Sequence, residues 1–385
     1  MAVEKDDRTQ MPTETVVAAS RWTSREIITQ IHSFPLDAEE VQGGIETWIS
    51  DFLNFSKGNY LLLGFGEKNH YRISAGYPRT RSGAISRVIK DSRPDGYHLL
   101  LGVLKNRRLI SRRVFLHRIE LVIPLKILVP KARIVLFVHT NLRAQAKFDS
   151  GKRWQLKGPI YKVYERFALK VANLVVVHSR IDFDRISRLS RKALLADAWF
   201  NDRVFSGGSK RKSRSGILWV GRFERVKDPL LAIRAFARSA SLHSEDLEMV
   251  GDGPLKGEAQ LLIEKLGLQQ RARILPVQSQ QQLASTLTRS KLLLHTSYFE
   301  GAPRILVEAA AQGVNLVTCK ESDPESLGRM EGLGVQAANR SENAFAEAIG
   351  QALAKTTVCN RHDLAERAGS HYVGRLERKI LEALR

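Results

Sequence analysis

Two cysteines in 385 residues, Cys319 and Cys359, are too few for a disulfide framework and fit a reducing compartment. Long apolar runs are also missing. Between Met1 and Arg21 the longest is VVAA, so no apolar core of a signal peptide is expected. The most hydrophobic later stretch, LVIPLKILVP, contains a proline and a lysine and is too short to span a bilayer. The N-x-S/T triplets at Asn54 and Asn339 are therefore read as chance, and the expected location is the cytoplasm. No Cys/His set has zinc spacing, and no Gly-x4-Gly-Lys loop, Gly-x-Ser-x-Gly elbow or G-x-G-x-x-G fingerprint occurs. These gaps argue against zinc sites, P-loop chemistry, nucleophile-elbow hydrolysis and dinucleotide binding.

Acidic residues are scarce relative to basic ones, 40 Asp and Glu against 61 Lys and Arg, for a net charge of +21. The excess is uneven. Residues 1–205 hold 35 basic and 20 acidic side chains, and between Lys68 and Arg118 thirteen basic residues meet only Asp91 and Asp95. Such an imbalance predicts a polyanionic partner, whether nucleic acid, an anionic membrane surface or a phosphorylated substrate. A basic surface kept for solubility is the plain alternative. Nucleic acid is disfavoured, because the basic stretch has few aromatics and no recognition motif.

What is present is the alternation of short apolar runs with longer amphipathic segments that marks parallel sheets covered by helices. The chain exceeds the usual size of one core, so two domains are expected. SGGSKRKSRS at 206–215 has no apolar residue and divides them. The expected strands before it are IITQIHSF, LLLGFG, VFLH, RIVLFVH, NLVVVHS and ALLAD; after it come ILWVG, LEMVG, ARILPV, LLLHTS and NLVTCK. The expected division is an extension at 1–25, a Rossmann-like domain at 26–205, the linker, a second Rossmann-like domain at 216–360, and a C-terminal helix at 361–385 packing back toward the first domain. The fold class is α/β, two parallel-sheet domains facing a cleft. Ligands in such folds bind beyond the C-terminal strand ends, where Gly43, Gly44, His139, Arg222 and Glu300 fall.

In YFEGAPRILVEAA, Glu300 and Glu308 stand eight positions apart. Pro303 suits the first position of a helix, which puts Glu300 in the loop ahead and Glu308 in the second turn. Eight helical residues rise about 12 Å, too far to share a proton, so two carboxylates with separate tasks along an extended ligand are expected. VGRFERVKDP places Gly221, Arg222 and Lys227 between a strand end and a helix start, where basic side chains and free N–H groups make an anion site; solvated surface charges are the plain alternative. VGDGP, with Gly251, is a second strand–turn–helix junction, or simply a tight turn. His139 and His117 each end an apolar strand, a position more often structural than catalytic, though either one equally often in a cleft between two domains. Asp182 and Asp184 form a D-x-D, but they stand where a helix begins, and the helix dipole accounts for them.

Taken together, GGIE, HTN, VGRFERVKDP, VGDGP and FEGAPRILVEAAAQG resemble glycosyltransferase family 4, the retaining nucleotide-sugar transferases of GT-B fold. The likeness runs from about Ile28 to the C-terminus and is most specific in the second half. It implies that Arg222 and Lys227 grip the donor diphosphate and that Glu308 holds the ribose hydroxyls. It further implies that Glu300, with Gly301 and Ala302, faces the donor sugar, with His139 near that sugar and Gly44 near the phosphates. Gly251 is implied in donor binding, and Pro276 and Val277 as neighbours of the base. No cofactor and no obligatory metal are implied. The partners implied are a nucleotide sugar, with UDP the expected nucleotide, and a glycan or glycolipid acceptor of lipopolysaccharide or other surface-polysaccharide synthesis. An anionic membrane surface is expected to meet the basic N-terminal half, giving peripheral attachment to the inner face. Ala302 and Pro303 depart from the family, as does NDRVF, which keeps only Asp202 and Phe205 of the usual pattern. Two alternatives stand beside this reading: a same-fold nucleotide-sugar epimerase, and a basic nucleic-acid-binding protein on an α/β scaffold.

Overall fold

The computed structural model describes residues 27–35, 44–65, 73–75, 86–89, 100–101, 103–104, 107–108, 110–139, 148, 154–205, 214–240, 244–325, 327, 333–355 and 364–385. The 1–25 extension, Gly43 and positions 206–213 of the expected linker lie outside these residues. The chain forms two units, residues 1–38 with 57–135, and residues 39–56 with 136–385.

The first unit holds β1 (Ile27–Pro35), β2 (Asn59–Phe65), β3 (Ile73–Ala75), β4 (Ser86–Ile89), β5 (Arg113–Leu116) and the start of β6 (Arg133–Val138). Their order is β3-β2-β1-β5-β6, with β4 beside β2. β1 pairs in parallel with β2 (Ile28 opposite Tyr60) and with β5 (Ile28 opposite Arg113), whereas β3 runs antiparallel to β2. Polar Thr29 is tolerated inside because its backbone N–H and hydroxyl both hydrogen-bond the Ser111 hydroxyl at 3.0 Å. β3 and β4 were not expected from the sequence; three and four residues long, they carry too few positions for a periodic signal.

In the second unit the end of β6 is followed by β7 (Leu174–Val177) and β8 (Ala193–Leu195), with Val176 opposite Leu194 in parallel. The helices Trp154–Val171 and Arg180–Ile186 lie between these strands in sequence. A second sheet has the order β11-β10-β9-β12-β13-β14, built from β9 (Ile217–Val220), β10 (Leu247–Val250), β11 (Ala272–Leu275), β12 (Leu292–Leu294), β13 (Asn315–Thr318) and β14 (Gly334–Gln336). All its pairings are parallel. Helices cover both faces, which is why these strands read as continuous apolar runs rather than alternating ones.

Alternation decides which face each residue serves. Ile217 and Trp219 enter a core with Met249 of β10 and with Ile233, Phe236, Phe345 and Ile349, supplied by the helices Pro229–Ser239 and Glu342–Ala354. Leu218 points the other way, to Leu293, Leu287, Leu306 and Val307, the last three from the helices Gln280–Arg289 and Arg304–Ala311. The helix Gly369–Ala383 packs against the helix Gly44–Phe55, where the Ser56 hydroxyl donates to Glu377 at 2.6 Å. Among the described residues no helix is long and apolar enough to cross a membrane.

Gly251 is required by a close approach. Its φ is 148°, and a Cβ there would lie 2.0 Å from the Gly221 carbonyl oxygen. That contact lets the turn after β10 press against the turn after β9. Gly251→Ala is expected to cost more than about 2 kcal/mol of stability, read as a lower urea midpoint; an unchanged midpoint would sink the packing account.

Candidate functional site

The strand order of the second sheet reverses between β9 and β12, and open α/β sheets bind ligands at the carboxyl ends of strands flanking such a reversal. Two loops start there. One runs from Gly221 to the helix Pro229–Ser239, the other from His295 to the helix Arg304–Ala311. Thr296 ties them together. Its hydroxyl accepts from Trp219 Nε1 at 3.0 Å and lies 3.0 and 2.9 Å from the carbonyls of Lys227 and Asp228. The Tyr298 N–H donates to the Val226 carbonyl at 2.7 Å. Arg340 completes the clamp: it donates to the carbonyls of Thr296 (2.8 Å) and Ser297 (2.6 Å), pairs with Asp228 (2.6 Å), and lies 3.9 Å from the Tyr298 ring centre.

This clamp brings Lys227 and Glu300 together. Lys227 Nζ is 2.5 Å from Glu300 Oε1, and His295 Nε2 is 3.5 Å from the same oxygen. Burial alone would raise the Glu300 carboxyl, but Lys227 and His295 outweigh it and hold it well below the ordinary carboxylate range. Glu300 is therefore a fixed anion at neutral pH.

Arg222 stands apart from that pair. Its side chain is 72% exposed and pairs with Glu224 at 2.8 Å. It also faces the first turn of the helix Gly44–Phe55, where burial raises the Glu46 carboxyl and the Arg222 charge pulls it back. Gly44 opens that helix, exposed, with nothing within 4 Å of a Cβ built on it.

Glu308 is in a different cluster from Glu300. The helix starts at Arg304, so Pro303 takes the capping position rather than the expected first helical one; its ψ of 87° is not helical. Glu308 falls in the second turn as expected and is buried. Arg304 Nη2 lies 3.2 Å from it and 2.6 Å from Asp51 on the helix Gly44–Phe55. Asp51 also accepts from Asn201 at 2.7 Å and Gln280 at 2.9 Å. The Arg304 guanidinium lies 5.0 Å from the Trp199 ring centre, and its Nε and Nη1 have no hydrogen-bond partner among the described residues. Burial, reinforced by the Asp51 charge and opposed by Arg304, pushes Glu308 up to about 7.

His139 follows β6 and is half-buried in an aromatic group. It stacks on His178 (5.2 Å between ring centres) and meets Trp48 edge-on at 5.1 Å. His178 is neutral at pH 7, pushed down to about 4 by burial, with Nδ1 3.0 Å from the Ala196 carbonyl. Gly301 is buried and Ala302 half-buried just ahead of the Glu308 helix; Val277 is exposed beyond β11, and Gly251 makes the close turn described above. Asp182 lies in the first turn of its helix, bonded to the capping Ser179 and to Arg185.

Gly44, His139, Arg222, Lys227, Gly251, Val277, Glu300, Gly301, Ala302 and Glu308 lie in the second unit, and His117 in the first. His295, Thr296, Arg304, Asp51 and Arg340 were missed. Asp51 had left a trace: it is an acid on the apolar side of an amphipathic segment, beside Trp48 and Phe52. Arg340 left none, because nothing local distinguishes it from a surface arginine.

Residues 202–371 match the family model described as Glycosyl transferases group 1. The phosphatidylinositol N-acetylglucosaminyltransferase GPI3 subunit of Saccharomyces cerevisiae is 34% identical over 149 residues, 37% of this chain and 32% of the yeast protein. The N-acetylgalactosamine-N,N'-diacetylbacillosaminyl-diphospho-undecaprenol 4-alpha-N-acetylgalactosaminyltransferase of Campylobacter jejuni is 26% identical over 157 residues, 40% of this chain and 37% of that protein. The chain thus matches well under half the length of these relatives. HepE of Anabaena, solved with UDP-glucose, superposes with a TM-score of 0.69 at 15% identity, covering 93% of this chain and 99% of HepE. At that identity the likeness is one of fold, and the fold is the expected GT-B type.

Proposed function

Residues 202–371 carry the glycosyl transferases group 1 region, and on that premise we propose that this chain is a retaining glycosyltransferase using a UDP-linked sugar. One observation carries the reading: the Lys227–Glu300 pair sits at the strand-order reversal, clamped between two helix N-termini. Lys227 and Arg222 bring positive charge to where a leaving diphosphate would develop negative charge. Glu300, held ionised, can accept hydrogen bonds from sugar hydroxyls. The acceptor hydroxyl is held on the face from which the diphosphate leaves, which gives retention without a distant acid–base pair. Charge compensation by side chains and helix dipoles makes an obligatory metal unnecessary.

The acceptor we propose is a lipid-borne glycan of surface-polysaccharide synthesis, met at the cytoplasmic face of a membrane. The names of the yeast and Campylobacter relatives, which specify a phosphatidylinositol and an undecaprenol diphosphate, support a lipid-borne acceptor. Gly44 remains a proposed neighbour of the phosphates, Gly251 a proposed donor-binding residue, Val277 a proposed neighbour of the base, and His139 a proposed neighbour of the sugar.

Glu308 provides the test. Ribose hydroxyls would donate to its carboxylate, yet burial keeps the group protonated up to about 7. Binding below that value must first expel a proton. A UDP-sugar should therefore bind about tenfold more weakly at pH 6 than at pH 8, and Glu308→Gln should abolish the difference. In the free protein the same shift means that stability from this group is lost as pH rises from about 4.5 to about 7. Calorimetry with UDP-, GDP- and ADP-sugars decides: wild-type affinity in Glu308→Ala removes the ribose assignment. Product analysis with donor alone separates transfer from epimerisation.

A further inference from the structure

The helix Trp154–Val171 buries Ala168 and Leu169, yet it also carries three large apolar side chains in water. Ile160, Val163 and Phe167 are 74%, 57% and 58% exposed. Their spacing of three and four residues aligns them as one ridge along the outer side of the helix. Lys162, Arg166 and Lys170 are exposed along the same helix. The helix has a single acidic residue, Glu165; it is fully buried and paired with Arg185 at 2.8 Å. The outer face is therefore apolar and positive, and no acidic side chain of the helix is exposed on it among the described residues.

We propose that this ridge docks the protein on an anionic lipid surface. Ile160, Val163 and Phe167 enter the boundary between headgroups and acyl chains, and Lys162, Arg166 and Lys170 meet the lipid phosphates. Charge decides against a second copy of the chain as occupant: apposing two such faces would gather six cations around one apolar seam. The inference rests on the reading that the acceptor is lipid-borne, since docking would confine enzyme and acceptor to the same plane. It narrows the sequence expectation, which assigned membrane contact to the basic N-terminal half as a whole, to one helix within that half.

Flotation of the full chain with vesicles tests it, comparing phosphatidylcholine alone with a 3:1 mixture of phosphatidylcholine and phosphatidylglycerol. Wild type should float with the mixed vesicles and release in high salt. Ile160→Ser/Phe167→Ser should lower partitioning at least tenfold, and Lys162→Gln/Lys170→Gln about twentyfold at low salt, roughly fivefold per charge. UDP-glucose binding by thermal shift should stay unchanged in both variants. Flotation of the apolar variant at the wild-type level overturns the proposal, as does a wild type that stays with neither vesicle. A wild-type dimer in sedimentation that Ile160→Ser/Phe167→Ser dissociates would assign the face to self-association instead. Loss of nucleotide-sugar binding with flotation intact would count against the transferase reading and leave this one standing.

Discussion

Lys227→Ala should lower kcat by about two to three orders of magnitude while leaving the dissociation constant of a UDP-sugar within severalfold of wild type. The asymmetry follows from when the ammonium matters. A charge that meets a diphosphate as it leaves acts more in the transition state than in the ground state, so its loss appears in kcat. A second loss accompanies it. Lys227 is the 2.5 Å partner of buried Glu300 and, after burial itself, the strongest influence on that carboxyl. Without it, burial is opposed only by His295 and the Glu300 carboxyl rises. The pH–rate profile of the variant should therefore gain an acidic limb that the wild type lacks. Lys227→Arg should restore little, because a planar fork cannot occupy the position of a compact ammonium. A kcat within threefold of wild type would remove Lys227 from the chemistry.

Asp51→Ala should destabilise the second unit by about 3–5 kcal/mol, the usual cost of leaving a buried charge without its partner. Arg304 is buried and has two nitrogen atoms without a hydrogen-bond partner among the described residues, so the Asp51 carboxylate at 2.6 Å carries most of its compensation. Glu308 cannot take over without cost, since burial has pushed it up to about 7. The double variant Asp51→Leu/Arg304→Met should lose less than Asp51→Ala alone, because it removes the charge together with its counter-charge. Thermal melts of the three proteins decide the matter. Equal stability of Asp51→Ala and wild type would mean that water or another group already neutralises Arg304.

Much of the fold was legible because parallel strands covered on both faces leave continuous apolar runs: ILWV, LEMV, LLL and NLVT became β9, β10, β12 and β13. β14 escaped because its three residues, Gly334 to Gln336, carry no such run. The site was half legible. Glycines, basic residues and glutamates at strand ends can be read off a chain, and Lys227, Glu300 and Glu308 were found that way. What could not be read is which of them meet. Lys227 and Glu300 are 73 positions apart and are joined only because β9 and β12 are neighbours in the sheet. Glu308 depends on Asp51, 257 positions earlier, through Arg304, a residue whose position in a first helical turn suggests solvent. Arg340 stands in a loop far along the chain and acts through the carbonyls of Thr296 and Ser297, so its identity alone carries no hint of the clamp.

The helix Gly44–Phe55 belongs to the second unit although the chain on either side of it belongs to the first. Splitting the molecule at the polar 206–215 segment, the obvious place to cut, would therefore not yield an independent second half. A fragment beginning there would lack Asp51, Trp199 and the Phe55 surface against which Gly369 is packed. It would carry Arg304 as an orphan cation and leave the helix Gly369–Ala383 without its seat. Exchanging the part of the chain after that segment for another sequence would therefore call for a compatible 44–55 segment as well.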